Sequence, residues 1–254
     1  MEIITALLNS IKNDAPVRSV LIGLHWTVVC SRGCGMSATL VPHELHGRAR
    51  VGEAGRLQRL SARELAEYAL SGDTLEASIG MAAINSLLEV DESSAEEINA
   101  SRVLIERGRG RKVALIGRFH FIPELRRSVS HLWVIERHPL PEEHPADAAQ
   151  EILPQAEIIA ITGSALVNHT LDGLLAACRP GSTVMLLGPS TPLSPILFEF
   201  GLDLLSGTLV VDEAAVLRTV GQGAVFRQVE GVKLLTIARH KDSRLRRSRS
   251  TARS

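Results

Sequence analysis

Five short runs in the second half of the chain are apolar at nearly every position: 113–117 (VALIG), 131–137 (HLWVIER), 157–163 (EIIAITG), 182–188 (STVMLLG) and 232–238 (VKLLTIA). A strand with one wet face alternates apolar and polar residues. A run without alternation reads as a strand covered on both faces. Helical patterns fall between and beside these runs, at 122–129, 146–153, 169–178, 192–200 and 212–219. Alternation at this spacing predicts a parallel sheet with right-handed crossovers, a doubly wound Rossmann-like α/β domain. The alternation runs over 102–239 and the domain is assigned to 94–239.

The first half reads differently. Residues 2–12 carry Ile3, Ile4, Leu7, Leu8 and Ile11 at helical spacing. Residues 17–24 and 26–31 read as consecutive antiparallel strands. Residues 61–70 and 74–89 read as helices, the first opened by a Ser61/Glu64 capping box. This predicts a small α+β domain over 1–93. A linker at 90–94 follows, with Ser94 expected to cap a helix over 95–108. The last stretch, 240–254, holds six Lys/Arg and one Asp and reads as a disordered basic tail.

Composition narrows the classes. Of 254 residues, 45% are apolar and 22% charged, enough to bury a sizeable core. Formal net charge is zero, and the basic tail leaves the rest of the chain at −5, which argues against a dedicated nucleic-acid binder. Aromatics at 3% are too few for a platform that grips single strands. No apolar run approaches the ~18 residues of a membrane span, and the first residues are acidic where a signal peptide needs basic ones. Three cysteines form no even framework, which points to a reducing compartment. The expectation is a cytoplasmic protein.

In open α/β sheets ligands sit outside the carboxyl ends of the strands, so four loops matter most. After the first strand comes Gly117-Arg118-Phe119-His120-Phe121. It lacks the G-x-G-x-x-G fingerprint, but Arg118 and His120 supply charge and Phe119 can cover an apolar ring; a tight turn with Phe119 or Phe121 in the core is the plainer reading. The second strand ends at Glu136, 19 residues beyond Gly117, where a ribose clamp would stand; a surface pair with Arg137 explains it equally. The third loop holds Thr162, Gly163, Ser164, Asn168 and Thr170, with Asn168 or Thr170 suited to capping the next helix. The fourth, Gly188-Pro189-Ser190-Thr191-Pro192, has Thr191 suited to an N-cap and Pro192 to the first helical position. Such a helix start is a seat for an anion. Gly201 is expected to stop this helix.

The first half adds two features. Cys30, Cys34, His43 and His46, with His25 nearby, permit a zinc site, but C-x3-C with H-x2-H is a poor knuckle. Buried small cysteines and scattered surface histidines are the simpler reading. Residues 78–86 form a helix with small residues on one face, suited to close packing. Asn85 on it needs partners if buried, and can point into a cleft between the domains. His120, His169 and Glu136 are the groups that could converge for acid–base work. No nucleophile elbow, H-E-x-x-H or P-loop is present.

In order, SIGMAAINSLL, VALIGRF, Glu136, LPQAEIIAITGSALVNHTL and LLGPSTPLSPILFEFG resemble the family known as the "putative heavy-metal chelation" domain, over about 1–238. The resemblance implies an enolase N-terminal-like first domain, a Rossmann-like second domain and a site in the cleft between them. The matching positions are Asn85, Gly117, Phe119, Glu136, Thr162, Gly163, Asn168, Thr170, Gly188, Pro189, Ser190 and Thr191. It also implies a role in handling metals, with a divalent or heavy metal ion as ligand. The residues themselves are mostly hydroxyls, an amide and glycines. These suit an anionic or nucleotide-like organic ligand better than a soft metal. Two functions are therefore carried forward: a metal-handling protein that binds a small anionic or metal-complexed ligand, and an enzyme using a nucleotide-like or adenosyl cofactor. A third is an accessory protein recruiting a partner through the basic tail. The expected partner is a small molecule or metal, with neither nucleic acid nor membrane involved; a homodimer is compatible.

Overall fold

The computed structural model describes residues 1–41 and 51–239. The basic tail, His43 and His46 lie outside the described residues. In chain order the first elements are α1 (Glu2–Ser10), β1 (Ser19–Ile22), β2 (Trp26–Cys30), β3 (Cys34–Ala38), α2 (Ala62–Glu67) and α3 (Thr74–Leu87). β1, β2 and β3 form an antiparallel meander. The capping box at Ser61 and Glu64 is present, and Asp73 caps α3 through the amides of Leu75 and Glu76.

Then follow β4 (Glu96–Glu97), α4 (Ala100–Gly108), β5 (Lys112–Ile116), α5 (Ile122–Ser128), β6 (His131–Glu136), β7 (His144–Pro145), α6 (Ala149–Ile152), β8 (Ile158–Thr162) and α7 (Ser164–Val167). The remainder is α8 (Leu171–Ala177), β9 (Thr183–Leu187), β10 (Leu204–Val210), α9 (Glu213–Gly221) and β11 (Val232–Ala238). These strands make one eight-stranded sheet in the order β4-β11-β10-β9-β8-β5-β6-β7. From β7 to β10 all neighbours are parallel; β11 and β4 close the edge antiparallel. Counting β5 as the first strand of the winding, the parallel part reads 3-2-1-4-5-6, the doubly wound order of dinucleotide-binding folds, although its third strand is only two residues long.

Successive residues of a strand face opposite sides of the sheet, and both sides are dry. On β8, Ile159 and Ile161 join the core shared with α1, α2 and α3, while Ile158 and Ala160 join Val103, Leu104 and Leu125 of α4 and α5. That is why these runs show no alternation. A third cluster packs Val28, Cys30 and Met36 of the meander against Val216 and Val220 of α9. Burial of each such aliphatic side chain contributes roughly 1.5–3 kcal/mol.

Four expectations are corrected. The helix of 192–200 starts at Pro195, with Ser194 extended (φ −116°, ψ 122°), and it is a 3-10 turn. A proline disfavours the α conformation in the residue before it, so Pro195 forbids a helix already running through Ser194. Residues 191–194 are instead buried, with the Thr191 carbonyl pressed against Gly207 of β10. Gly201 does stop the turn in the left-handed region. The helix expected from 95 begins at Ala100 under Asn99, whose side chain accepts from the Ser101 amide, and Glu96–Glu97 pair with β11 instead. Ser94 turns back to the Asp91 carbonyl. β3 and β10 were not expected as strands, since small residues and glycine (CGMSA and LLSGTLV) mute their apolar signal. Finally, two cysteines do pair: Cys30 and Cys34 stand opposite each other in the β2–β3 register and form a disulfide, while Cys178 is free.

Candidate functional site

Parallel winding leaves a crevice where the chain goes left from one strand and right from the next, here between β5 and β8. A cleft of about 740 Å³ opens at that end of the sheet. Its floor comes from the loops after β5, β8 and β9: Arg118, Phe119, His120, then Thr162, Gly163 and Ser164, then Gly188, Pro189 and Ser190. Gly117 (φ 107°) and Gly188 (φ 109°) turn two of these loops through a conformation that side-chain-bearing residues rarely adopt. Phe119 stacks on the buried Phe121 at 5.2 Å between ring centroids, so Phe121 takes the core place and Phe119 is in the lining.

The far wall is supplied by Trp26 of the meander and by Phe226 and Arg227 beyond α9, with the Trp26 and Phe226 rings edge to face at 5.5 Å. Sequence reasoning missed these three. A signal existed: Trp26, Phe119, Phe121 and Phe226 are four of only eight aromatic residues in the chain, and all four line this cleft. Among the described residues no carboxylate lines it, whereas Arg118, His120 and Arg227 do. Arg118 is braced by Glu143, which accepts from Nε at 2.9 Å and from Nη2, and Arg118 also donates to the His138 carbonyl. The Arg118 hydrogen bond is the main cause that holds the Glu143 carboxyl down at about 2.

The fourth loop is tied to the meander. The Ser190 hydroxyl accepts from the Ala38 amide at 2.8 Å and lies 3.3 Å from the Ser37 hydroxyl. Asn85 of α3 donates to the Met36 carbonyl at 2.9 Å and reaches the Ser190 carbonyl at 3.5 Å. Asn85 therefore joins α3, β3 and the loop instead of lining the cleft. Its Oδ1 and the Thr191 hydroxyl are buried without a hydrogen-bond partner. Thr191 sits behind the lining, against Gly163, where a Cβ would come within 2.7 Å of the Thr191 amide.

Other expected residues do not gather here. Glu136 stands at the end of β6, outside the lining. Asn168 and Thr170 bond each other, the Asn168 Oδ1 accepting from the Thr170 hydroxyl at 2.7 Å, in the turn before α8. His169 turns to the Ala69 carbonyl at 2.8 Å, so it does not converge with His120 and Glu136. The helix start proposed as an anion seat is absent at Thr191, because the helix begins three residues later.

The donors also bear on metal binding. Besides backbone, hydroxyl and Asn99 amide oxygens, the described lining offers a soft or borderline cation one imidazole and no thiol. A bare heavy-metal ion does not fit this set.

The fold and cleft define a doubly wound α/β protein with a cationic, aromatic-walled crevice at its topological switch point. Residues 99–239 match the DUF364 family model and residues 4–88 the DUF4213 model, both described as "putative heavy-metal chelation". The chain belongs to the DUF364 family. It is similar to an uncharacterized protein of Methanocaldococcus jannaschii, 30% identical over 158 residues, which are 59% of this chain and 60% of that protein. The match thus spans less than two thirds of the curated relative's length. A crystal structure of a DUF364 protein of unknown function from Desulfitobacterium hafniense superposes with a TM-score of 0.81 at 29% identity, covering 93% of this chain and 98% of that one. Another, from Pyrococcus horikoshii, gives 0.75 at 22% identity over 93% and 98%, a likeness of fold.

Proposed function

We propose that the switch-point cleft binds a small anionic ligand with a planar or apolar portion, a metal-bearing organic complex included, and that the protein serves metal handling in the cytoplasm. The observation that carries this reading is the lining itself. Half of the chain's aromatic residues and three basic side chains meet there; among the described residues no carboxylate is in the lining, and the Glu143 that pairs with Arg118 stands outside it. Aromatic faces hold an apolar ring, and guanidinium groups hold an anion. The family description supplies the metal. Matches that end at 88 and resume at 99 support two domains, 1–93 and 94–239, of which the first contributes Trp26 to the lining. An antiparallel meander followed by helices supports the enolase N-terminal-like reading of the first.

A second reading, an enzyme using a nucleotide-like or adenosyl cofactor, is favoured by one specific observation. The strand order places the cleft where Rossmann folds take a pyrophosphate, with Glu136 closing the neighbouring strand as a ribose clamp would.

Thermal shifts test both. The full chain is heated with adenosyl compounds and nucleotides, with anionic chelator–metal complexes, and with the free metals. Stabilisation by a complex, lost in Phe119→Ala and in Arg227→Ala, supports the first reading. Stabilisation by an adenosyl compound that Glu136→Ala abolishes selects the second. Wild-type shifts retained in both Phe119→Ala and Arg227→Ala would place the ligand elsewhere.

A further inference from the structure

The cysteine pair of the meander takes no part in the cleft. Among the described residues, one group of potential metal-binding side chains converges: the Cys30 and Cys34 sulfurs and a Glu213 carboxylate oxygen, all within 4.8 Å of one another. Three elements bring them together. Cys30 and Cys34 end β2 and begin β3 in direct register, and Glu213 is the first residue of α9, which packs on β2. Arg18 donates to Glu213 at 2.6 Å, and its Nη2 lies 4.0 Å from the Cys34 sulfur.

We propose that Cys30, Cys34 and Glu213 form a redox-gated site for a thiophilic divalent cation, closed as a disulfide and opened on reduction. Soft thiolates with one carboxylate suit zinc or cadmium, with solvent as a fourth ligand. Two thiolates, the Glu213 carboxylate and the Arg18 guanidinium carry a summed charge that a divalent cation cancels.

The gate needs two equivalents of a small thiol. The first, as thiolate, attacks the Cys34 sulfur, which is half-buried where Cys30 is fully buried. The Cys30–Cys34 bond breaks, a mixed disulfide forms at Cys34, and Cys30 leaves as thiolate. The second thiol attacks the mixed disulfide, is released joined to the first as their own disulfide, and frees the Cys34 thiolate. The protein gains two electrons and the two small thiols lose them. The two thiolates take up protons from solvent, and metal binding displaces those two protons again. In a reducing compartment the site stands open.

The test is an anaerobic cadmium titration of the full chain, oxidised and phosphine-reduced, read by thiolate-to-cadmium charge-transfer absorbance and by metal bound per chain. Reduced protein is expected to take one cadmium at the site, with the absorbance, at least about tenfold more tightly than oxidised protein. Cys34→Ser is expected to lose the absorbance. Glu213→Gln is expected to keep it and bind about tenfold more weakly. Equal binding by the two redox forms, or wild-type affinity in Glu213→Gln, would overturn the proposal. The redox comparison uses one unaltered chain, so it decides the matter even where a variant folds poorly. Metal held in the cleft as a complex does not answer to the thiols, so failure here leaves the cleft reading standing.

Discussion

Two sets of glycines in this molecule do opposite work. Where α3 meets its neighbours, glycine removes atoms so that backbones can touch: a Cβ at Gly80 would lie 1.9 Å from the Ala69 amide, and one at Gly35 2.1 Å from the Ala82 carbonyl. At the rim of the large sheet, Gly188 turns with a positive φ and a Cβ there would meet nothing within 4 Å. The first region is packed to the limit of sterics and is the stability of the small module. The second keeps space, and the cleft lies in that space.

Substitutions that add one carbon to each region should separate them. Gly80→Ala is expected to destabilise by about 3 kcal/mol, because rigid backbone must move to admit the methyl group; urea denaturation measures it. Gly188→Ala is expected to cost about 1–2 kcal/mol from backbone conformation alone. If Gly188→Ala proves the more damaging, the contrast between packed and open glycines fails. Asn85→Ala should fall between or alongside, at about 1–2 kcal/mol, since it leaves the Met36 carbonyl without its donor.

The smallest expected effect lies on the rim. The carboxyl of Glu143 titrates at about 2 instead of 4.5, so its stabilising contribution is complete above pH 4.5 and disappears as pH falls through about 2. Glu143→Gln should therefore melt below wild type at neutral pH, with the gap shrinking between pH 4.5 and 2. A constant gap across that range would mean that Glu143 acts through packing and not through its charge on Arg118.

Much of the large sheet was legible because its strands are covered on both faces, and unbroken apolar runs announce that locally. The loops after β5, β8 and β9 were legible for the same reason, since a strand end marks its loop. β10 was not, because Gly207 answers to the Thr191 carbonyl pressing on it, a contact between distant segments. The site was half legible. Phe119, Thr162, Gly163, Gly188, Pro189 and Ser190 are in the lining. Trp26, Phe226 and Arg227 reach it from segments with no strand-end signal.

What the amino-acid sequence alone determined is what depends on neighbours along the chain: the apolar runs, the Ser61 capping box, the stop at Gly201 and the composition that permits a core. Even the late start at Pro195 was written there, in a proline that restrains the residue before it. What only the tertiary structure decided is what depends on register and crossing: the 3-2-1-4-5-6 order, Cys30 opposite Cys34 with Glu213 beside them, and Asn85 fastening α3 to the loop of Ser190. Side chains remote in sequence meet only after the sheet is wound, and no local periodicity encodes which of them will face each other.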